Sequence, residues 1–159
     1  MDINQTFLID AVAESVLTKM RNKPFFCLPM SAVLYAMLKD NYKINAKIIT
    51  GNLTYKEHYI FKQDFSISEN DHGTFKRWAG HAWVEIDGTI WDLSFFRTLY
   101  SDEFKKPYKD ELLKLWGTNQ DIIITNSVEI PDKYMRYYPI DILSDDMATG
   151  IIKGMDQIP

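Results

Sequence analysis

One stretch limits the fold of this chain more than any other: Gly80-His81-Ala82-Trp83-Val84-Glu85-Ile86-Asp87-Gly88-Thr89-Ile90-Trp91-Asp92. It reads as two short strands joined by a tight turn. Asp87-Gly88 supplies the two left-handed residues that a type I′ turn requires. With a two-residue loop, Ile86 lies opposite Thr89, Trp83 opposite Asp92 and His81 opposite Ser94. Opposed residues share a face, as do alternate residues along one strand. His81, Trp83, Asp92 and Ser94 therefore project to one side, and Ala82, Val84 and Ile86 to the other. His81 and Asp92 become diagonal neighbours, roughly 7 Å apart at the backbone, a gap that a hydrogen bond between imidazole and carboxylate can close. Ser94 is the nearest competing partner for the histidine.

A histidine held by a carboxylate is half of a nucleophilic triad, and the chain has a single cysteine, Cys27. A helix is expected over residues 27–39, with Pro29 in the first turn, where proline is tolerated. Leu28, Met30, Ala32, Val33, Leu34, Tyr35, Ala36, Met37 and Leu38 are apolar almost all round, the mark of a helix buried on most sides. Cys27 then stands at the N-terminus of a central helix, whose partial positive charge favours a thiolate, as does a nearby imidazolium. Asp92 would orient His81, and the thiolate would attack an acyl carbon to form a thioester. The backbone N–H of Cys27 is one candidate oxyanion donor and Asn22 a second. Trp83, on the same face as His81, would shield the pair or line the cleft. Each feature also has a plainer reading. A lone cysteine beside Phe25, Phe26 and Leu28 is also what a small buried hydrophobe looks like. An aspartate after Trp91 can simply end a strand, and both tryptophans can be core.

The rest of the chain reads as one domain over residues 1–159, without repeats or a linker. An amphipathic helix is expected over 4–20, capped by Asp2 or Asn4, with Phe7, Leu8, Ala11, Val12, Val16 and Met20 near one face. A strand over 43–50 pairs with another over 55–61 through a turn at Gly51-Asn52. Residues 62–74 are polar and turn-rich and read as a flexible loop. Residues 93–106 are aromatic but aperiodic. A short helix over 110–116 ends at Gly117. A strand follows over 121–125, then turns and tyrosines from Pro131, with a short helix over 145–152.

Composition removes several function classes. Eighteen basic residues face 22 acidic ones with no basic stripe, so no nucleic acid partner is expected. No apolar run approaches the ~18–20 residues that span a bilayer, so no membrane partner is expected, and no signal peptide is visible. One cysteine cannot form an intrachain disulfide and fits a reducing, cytoplasmic compartment. His58 and His72 lack metal-ligand spacing, and no metal or cofactor is expected. A zinc site built on His72, His81 and a carboxylate is the alternative. The aromatics between Phe95 and Tyr138 serve either as core or as the contact surface of a binding module without catalysis.

The order Cys, His, Asp carries a resemblance. Cys27-Leu28-Pro29-Met30-Ser31-Ala32-Val33-Leu34, then Gly80-His81-Ala82-Trp83-Val84-Glu85, Gly88 and Asp92, resembles the transglutaminase-like branch of the papain-fold superfamily. The Cys-Leu start with a serine four residues on, followed by His-Ala-Trp-Val-Glu, looks most like the leader peptidases of lasso-peptide biosynthesis and their bacterial relatives. The resemblance covers residues 27 to 92. It implies an α+β, papain-like fold with the cysteine helix packed on an antiparallel sheet or partial barrel. It also implies Cys27, His81 and Asp92 as nucleophile, base and orienting acid, and cofactor-free acyl transfer on a peptide or protein amide. A catalytically silent papain-fold binding module is the alternative.

Overall fold

The computed structural model describes residues 2–67 and 78–155. The loop expected over 62–74 therefore lies partly outside the described residues, and His72 wholly so. The N-terminal helix α1 spans Ile3–Lys19, and Asp2 caps it by accepting from the Gln5 N–H at 2.7 Å. Its buried face is Ile9, Val12, Ala13, Val16 and Leu17, not a stripe starting at Phe7. None of residues 3–8 is buried, so Phe7 lies beyond the packed surface and is exposed.

Helix α2 spans Cys27–Tyr42, three residues past the expected end at Lys39. Asp40-Asn41 does not break it; the stop comes at Lys43, which turns left-handed (φ 56°) and donates its N–H back to Leu38 and Lys39. The C-terminal helix α5, Asp145–Gly154, is capped by the Ser144 hydroxyl, which accepts from the Met147 N–H. Helices α1 and α5 and the sheet all pack on α2, which accounts for its lack of a polar face.

The strands are β1 Lys47–Tyr55, β2 His58–Phe61, β3 His81–Ile86, β4 Thr89–Asp92, β5 Ile123–Thr125, β6 Glu129–Ile130 and β7 Met135–Leu143. They form one antiparallel sheet in the order β5-β4-β3-β1-β7-β6, with β2 also on β1. The two end strands, β5 and β6, are separated by residues 126–128 alone. Four peptide steps of about 3.8 Å cannot span an open sheet of this width, so the sheet curls until its ends nearly meet.

Strand β1 is the spine. Strand β7 runs along one side of it. The other side is shared: β3 pairs with Lys47 to Gly51, and β2 with Leu53 to Tyr55. The sheet thus forks beside Asn52. Gly51 is not the turn expected there but lies inside a continuous strand. A Cβ on it would sit 1.9 Å from the Tyr138 carbonyl oxygen. Strand β7 bulges at this point: Thr50 faces Asp141 and Gly51 faces Pro139, leaving Ile140 unpaired between them. The bulge also admits Pro139, which has no N–H to give the ladder. The β1–β2 turn falls instead at Lys56-Glu57, with Lys56 left-handed (φ 53°).

Two short helices, α3 Phe95–Leu99 and α4 Lys109–Trp116, complete the fold. On one face of the hairpin Val84, Ile86 and Trp91 pack against α1 and α2. On the other, Trp83, Ile90 and Tyr137 pack with Phe95, Phe96, Leu99 and Leu112. Ala82 and Ile48 join Leu28 and Ala32 of α2 and Ala148 and Ile151 of α5. Phe95, Phe96, Phe104, Tyr108 and Tyr137 are buried, so most of the late aromatics are core, while Tyr134 and Tyr138 are exposed. The architecture is α+β, with a central helix on an antiparallel sheet. Among the described residues, no helix is long and apolar enough to cross a membrane.

Candidate active site

The Asp87-Gly88 turn has φ 49° and 79° at its two residues, and pairs Ile86 with Thr89, Glu85 with Ile90 and Val84 with Trp91. This register puts His81 and Asp92 on one face, and His81 Nε2 lies 2.6 Å from Asp92 Oδ2. Both side chains are at most 1% exposed. Ser94 does not compete for the imidazole. Its N–H and hydroxyl donate to Asp92 Oδ1 at 3.2 and 3.4 Å, and the Phe95 N–H donates to the same oxygen at 3.2 Å. Asp92 therefore both ends β4, opening the turn into α3, and holds the histidine. The Tyr137 hydroxyl donates to Asp92 Oδ2 at 2.7 Å. Sequence reasoning missed Tyr137, because Pro139 and the tyrosine-rich context hid β7. The signal available was the alternation of Met135 and Tyr137, two apolar positions sharing one face.

Burial pushes the His81 pKa down, but the charge and hydrogen bond of Asp92, with a contribution from the Cys27 thiol, outweigh it and raise the pKa to about 10. Burial pushes Asp92 up, yet the His81 charge and hydrogen bond, then Tyr137 and the Ser94 N–H, hold its carboxyl below the usual value. Burial first, then the Asp92 charge, push Tyr137 well above the ordinary phenol value, so it remains a donor. The arrangement is an imidazolium–carboxylate pair with every carboxylate oxygen satisfied.

Cys27 opens α2. Its N–H and that of Leu28 have no acceptor within the helix, and Pro29 has no N–H at all. The body of α2 covers the face of β3 opposite the His81 ring, so Cys27 reaches the histidine around the end of the strand rather than across the sheet. The cysteine Sγ lies 4.0 Å from the Gly80 carbonyl oxygen. Nδ1 of His81 is buried and has no partner in hydrogen-bond geometry, yet the thiol is near enough to strengthen the ring's hold on its proton. The fork in the sheet makes this meeting possible. Strand β3 begins where β2 ends, and the imidazole stacks on Phe61 of β2, ring centroids 4.6 Å apart at 7°. The loop before α2 is held by Phe25, left-handed at φ 57°, whose N–H donates to Thr98 Oγ1 at 3.0 Å.

Cys27 and His81 both line a cleft of about 770 Å³. Phe26, Phe61, Trp78 and Phe104 supply its apolar walls. Trp78 packs on Gly80 so closely that a Cβ there would lie 2.4 Å from the indole, and its Nε1–H donates to the Phe65 carbonyl at 2.9 Å. Two expected site residues are placed elsewhere. Asn22 is exposed and lines a separate polar pocket with Glu14, Arg97 and Asp121. Trp83 is fully buried and does not line the cleft; it packs beneath the site, 6.0 Å from the His81 ring and edge-on to Tyr137. Among the described residues no three His, Cys, Asp or Glu side chains converge as metal ligands. His58 is exposed and stacks on Tyr108. No family model, curated protein or solved structure matches this chain.

Proposed function

We propose that this protein is a cysteine-dependent acyl-transfer enzyme acting on a peptide or protein amide. The observation that carries the reading is the division of labour on one imidazole. Nε2 of His81 is held by Asp92 at 2.6 Å, and the buried Nδ1 has no hydrogen-bond partner, in a cleft that also holds the only cysteine. The Cys27 thiolate adds to the amide carbon, and the oxyanion is met by the unsatisfied N–H groups at the start of α2. His81 gives its proton to the leaving amine as the C–N bond breaks, leaving a thioester on Cys27. Water or an acceptor amine then loses a proton to His81, attacks the thioester and releases the thiolate. Asp92 stays ionised and keeps the ring in the orientation that points Nδ1 at the reaction. The fold class, with a cysteine-bearing central helix on an antiparallel sheet, agrees with the papain-like, transglutaminase-like resemblance of residues 27 to 92. The cleft volume is in the range that encloses most of a small ligand or a few side chains of a larger one.

Reaction with p-nitrophenyl acetate tests the proposal. The expected result is a burst of p-nitrophenolate stoichiometric with the chain and an acetyl group on Cys27 by intact mass, both lost in C27A and H81Q. Discharge by water or by an added amine then separates hydrolysis from transfer. An absent burst, or an equal burst in folded H81Q, would overturn the reading.

A further inference from the structure

We infer that the cleft selects an acidic peptide, one presenting a carboxylate beside an apolar or aromatic side chain; this deepens the acyl-transfer reading and rests on it. The chain as a whole is acidic, with a net charge of −4. Among the described residues the cleft has the opposite balance: Lys105 and Lys106 line it, with Lys23, against one carboxylate, Glu103. Lys105 and Lys106 are exposed, and among the described residues neither enters an ion pair. They do not ride on a free tail. Phe104 before them and Tyr108 after them are buried, and the segment is closed by the Phe104 N–H on the Ser101 carbonyl and the Lys109 N–H on the Lys106 carbonyl. The backbone carrying two lysines is thus fixed at the rim of an aromatic-walled cleft that also holds the start of α2 and His81.

Apolar walls of low polarisability focus this field and raise the local concentration of anions. The partial positive charge of the α2 N-terminus adds to it. A neutral peptide would gain only the aromatic contacts. A peptide with a carboxylate next to its apolar side chain would gain those and charge contacts with two lysines at the cleft rim, and a basic peptide would be repelled.

Iodoacetate and iodoacetamide test this on Cys27 without knowledge of the substrate. Both react by the same step: the thiolate attacks the methylene carbon, a C–S bond forms, the C–I bond breaks and iodide leaves. They differ only in charge. The expected result is a ratio of iodoacetate to iodoacetamide rates that falls as salt is added. That ratio should drop about threefold to tenfold in K105Q/K106Q, as expected for two surface charge contacts, and hold in K105R/K106R. Any change in thiolate formation alters both rates alike and cancels in the ratio. An unchanged ratio in K105Q/K106Q would overturn the selectivity while leaving the acyl-transfer reading intact. If iodoacetamide reacts no faster with the wild type than with H81Q, both readings fall. Binding of a Glu-Phe peptide amide and its Gln-Phe counterpart to C27A carries the result to peptides. Tighter binding of the Glu-Phe form that K105Q/K106Q erases supports the inference, and equal binding contradicts it.

Discussion

Val84, Ile86 and Trp91 leave one face of the β3–β4 hairpin and meet only the apolar packing of α1 and α2. His81 and Asp92 leave the other face and meet the Tyr137 hydroxyl, the Ser94 and Phe95 N–H groups and the edge of a cleft. Both faces are equally dry, but burial does different things on each. Taking a tryptophan out of water removes on the order of 200 Å² of surface, worth about 5 kcal/mol at 25 cal/mol per Å². Taking an imidazolium–carboxylate pair out of water is expensive, and its mutual attraction does little more than offset the loss. The first face stabilises the fold. The second uses that stability to hold a charged histidine beside a cysteine. Stability and reactivity should therefore separate by face when each is mutated.

The largest effect is expected on the apolar face. W91A should cost about 3–5 kcal/mol and lower the thermal midpoint by roughly 10 °C, read by calorimetry. Alkylation of Cys27 per folded molecule should stay at the wild-type rate. A folded W91A with unreactive Cys27 would break the comparison.

D92N comes next and acts on the other quantity. An asparagine can still pair with Tyr137 and the Ser94 N–H, but it leaves His81 neutral and favours the wrong tautomer. Acyl transfer should fall about 100-fold or more. The pH dependence of stability sharpens the contrast. The folded pKa of His81, about 10, lies above its unfolded value of 6.5. Its contribution to stability is therefore fully present below pH 6.5 and lost as pH rises through about 10. The wild-type thermal midpoint should decline over that interval more steeply than that of D92N. Parallel declines would show that the pair is not charged in the folded protein.

The smallest effect should come from Y137F, which removes one donor to Asp92, a hydrogen bond to a charged group worth about 1.5–3 kcal/mol. Asp92 has a depressed folded pKa, so its contribution is present above the unfolded value and disappears as pH falls through the folded one. Without the Tyr137 donor the folded pKa rises toward 3.8, and acid unfolding should begin at higher pH. A severalfold loss of rate at neutral pH should accompany the shift. An unmoved acid transition would mean that Tyr137 serves only as packing.

The hairpin was legible because its information is local. Two turn residues set a register, and a register assigns every side chain to a face, so the His81–Asp92 hydrogen bond followed from Asp87-Gly88. The start of α2 was legible too, since Pro29 and the apolar run after it allow few alternatives. What stayed hidden depends on distant neighbours. Gly51 looks like a turn residue and is glycine because Tyr138, 87 positions later, comes within contact. Strand β7 contains Pro139, which argues against a strand until the bulge that accommodates it is seen. With β7 hidden, Tyr137 could not be placed on Asp92. The start of the buried face of α1 at Ile9 has a similar reason: helical period names a stripe, but only the extent of the partner decides where along it burial begins. Asn22 lies near Cys27 in sequence, but the turn at Pro24-Phe25 separates the two into different pockets.

The most direct test is the second-order rate of Cys27 with iodoacetamide, measured against pH in the wild type and in H81Q. The account predicts a wild-type rate at least about tenfold higher at neutral pH. That advantage should shrink as rising pH ionises the thiol without the help of an imidazolium. Superimposable rates at every pH would contradict it and leave Cys27 as a buried side chain that happens to lie near a histidine.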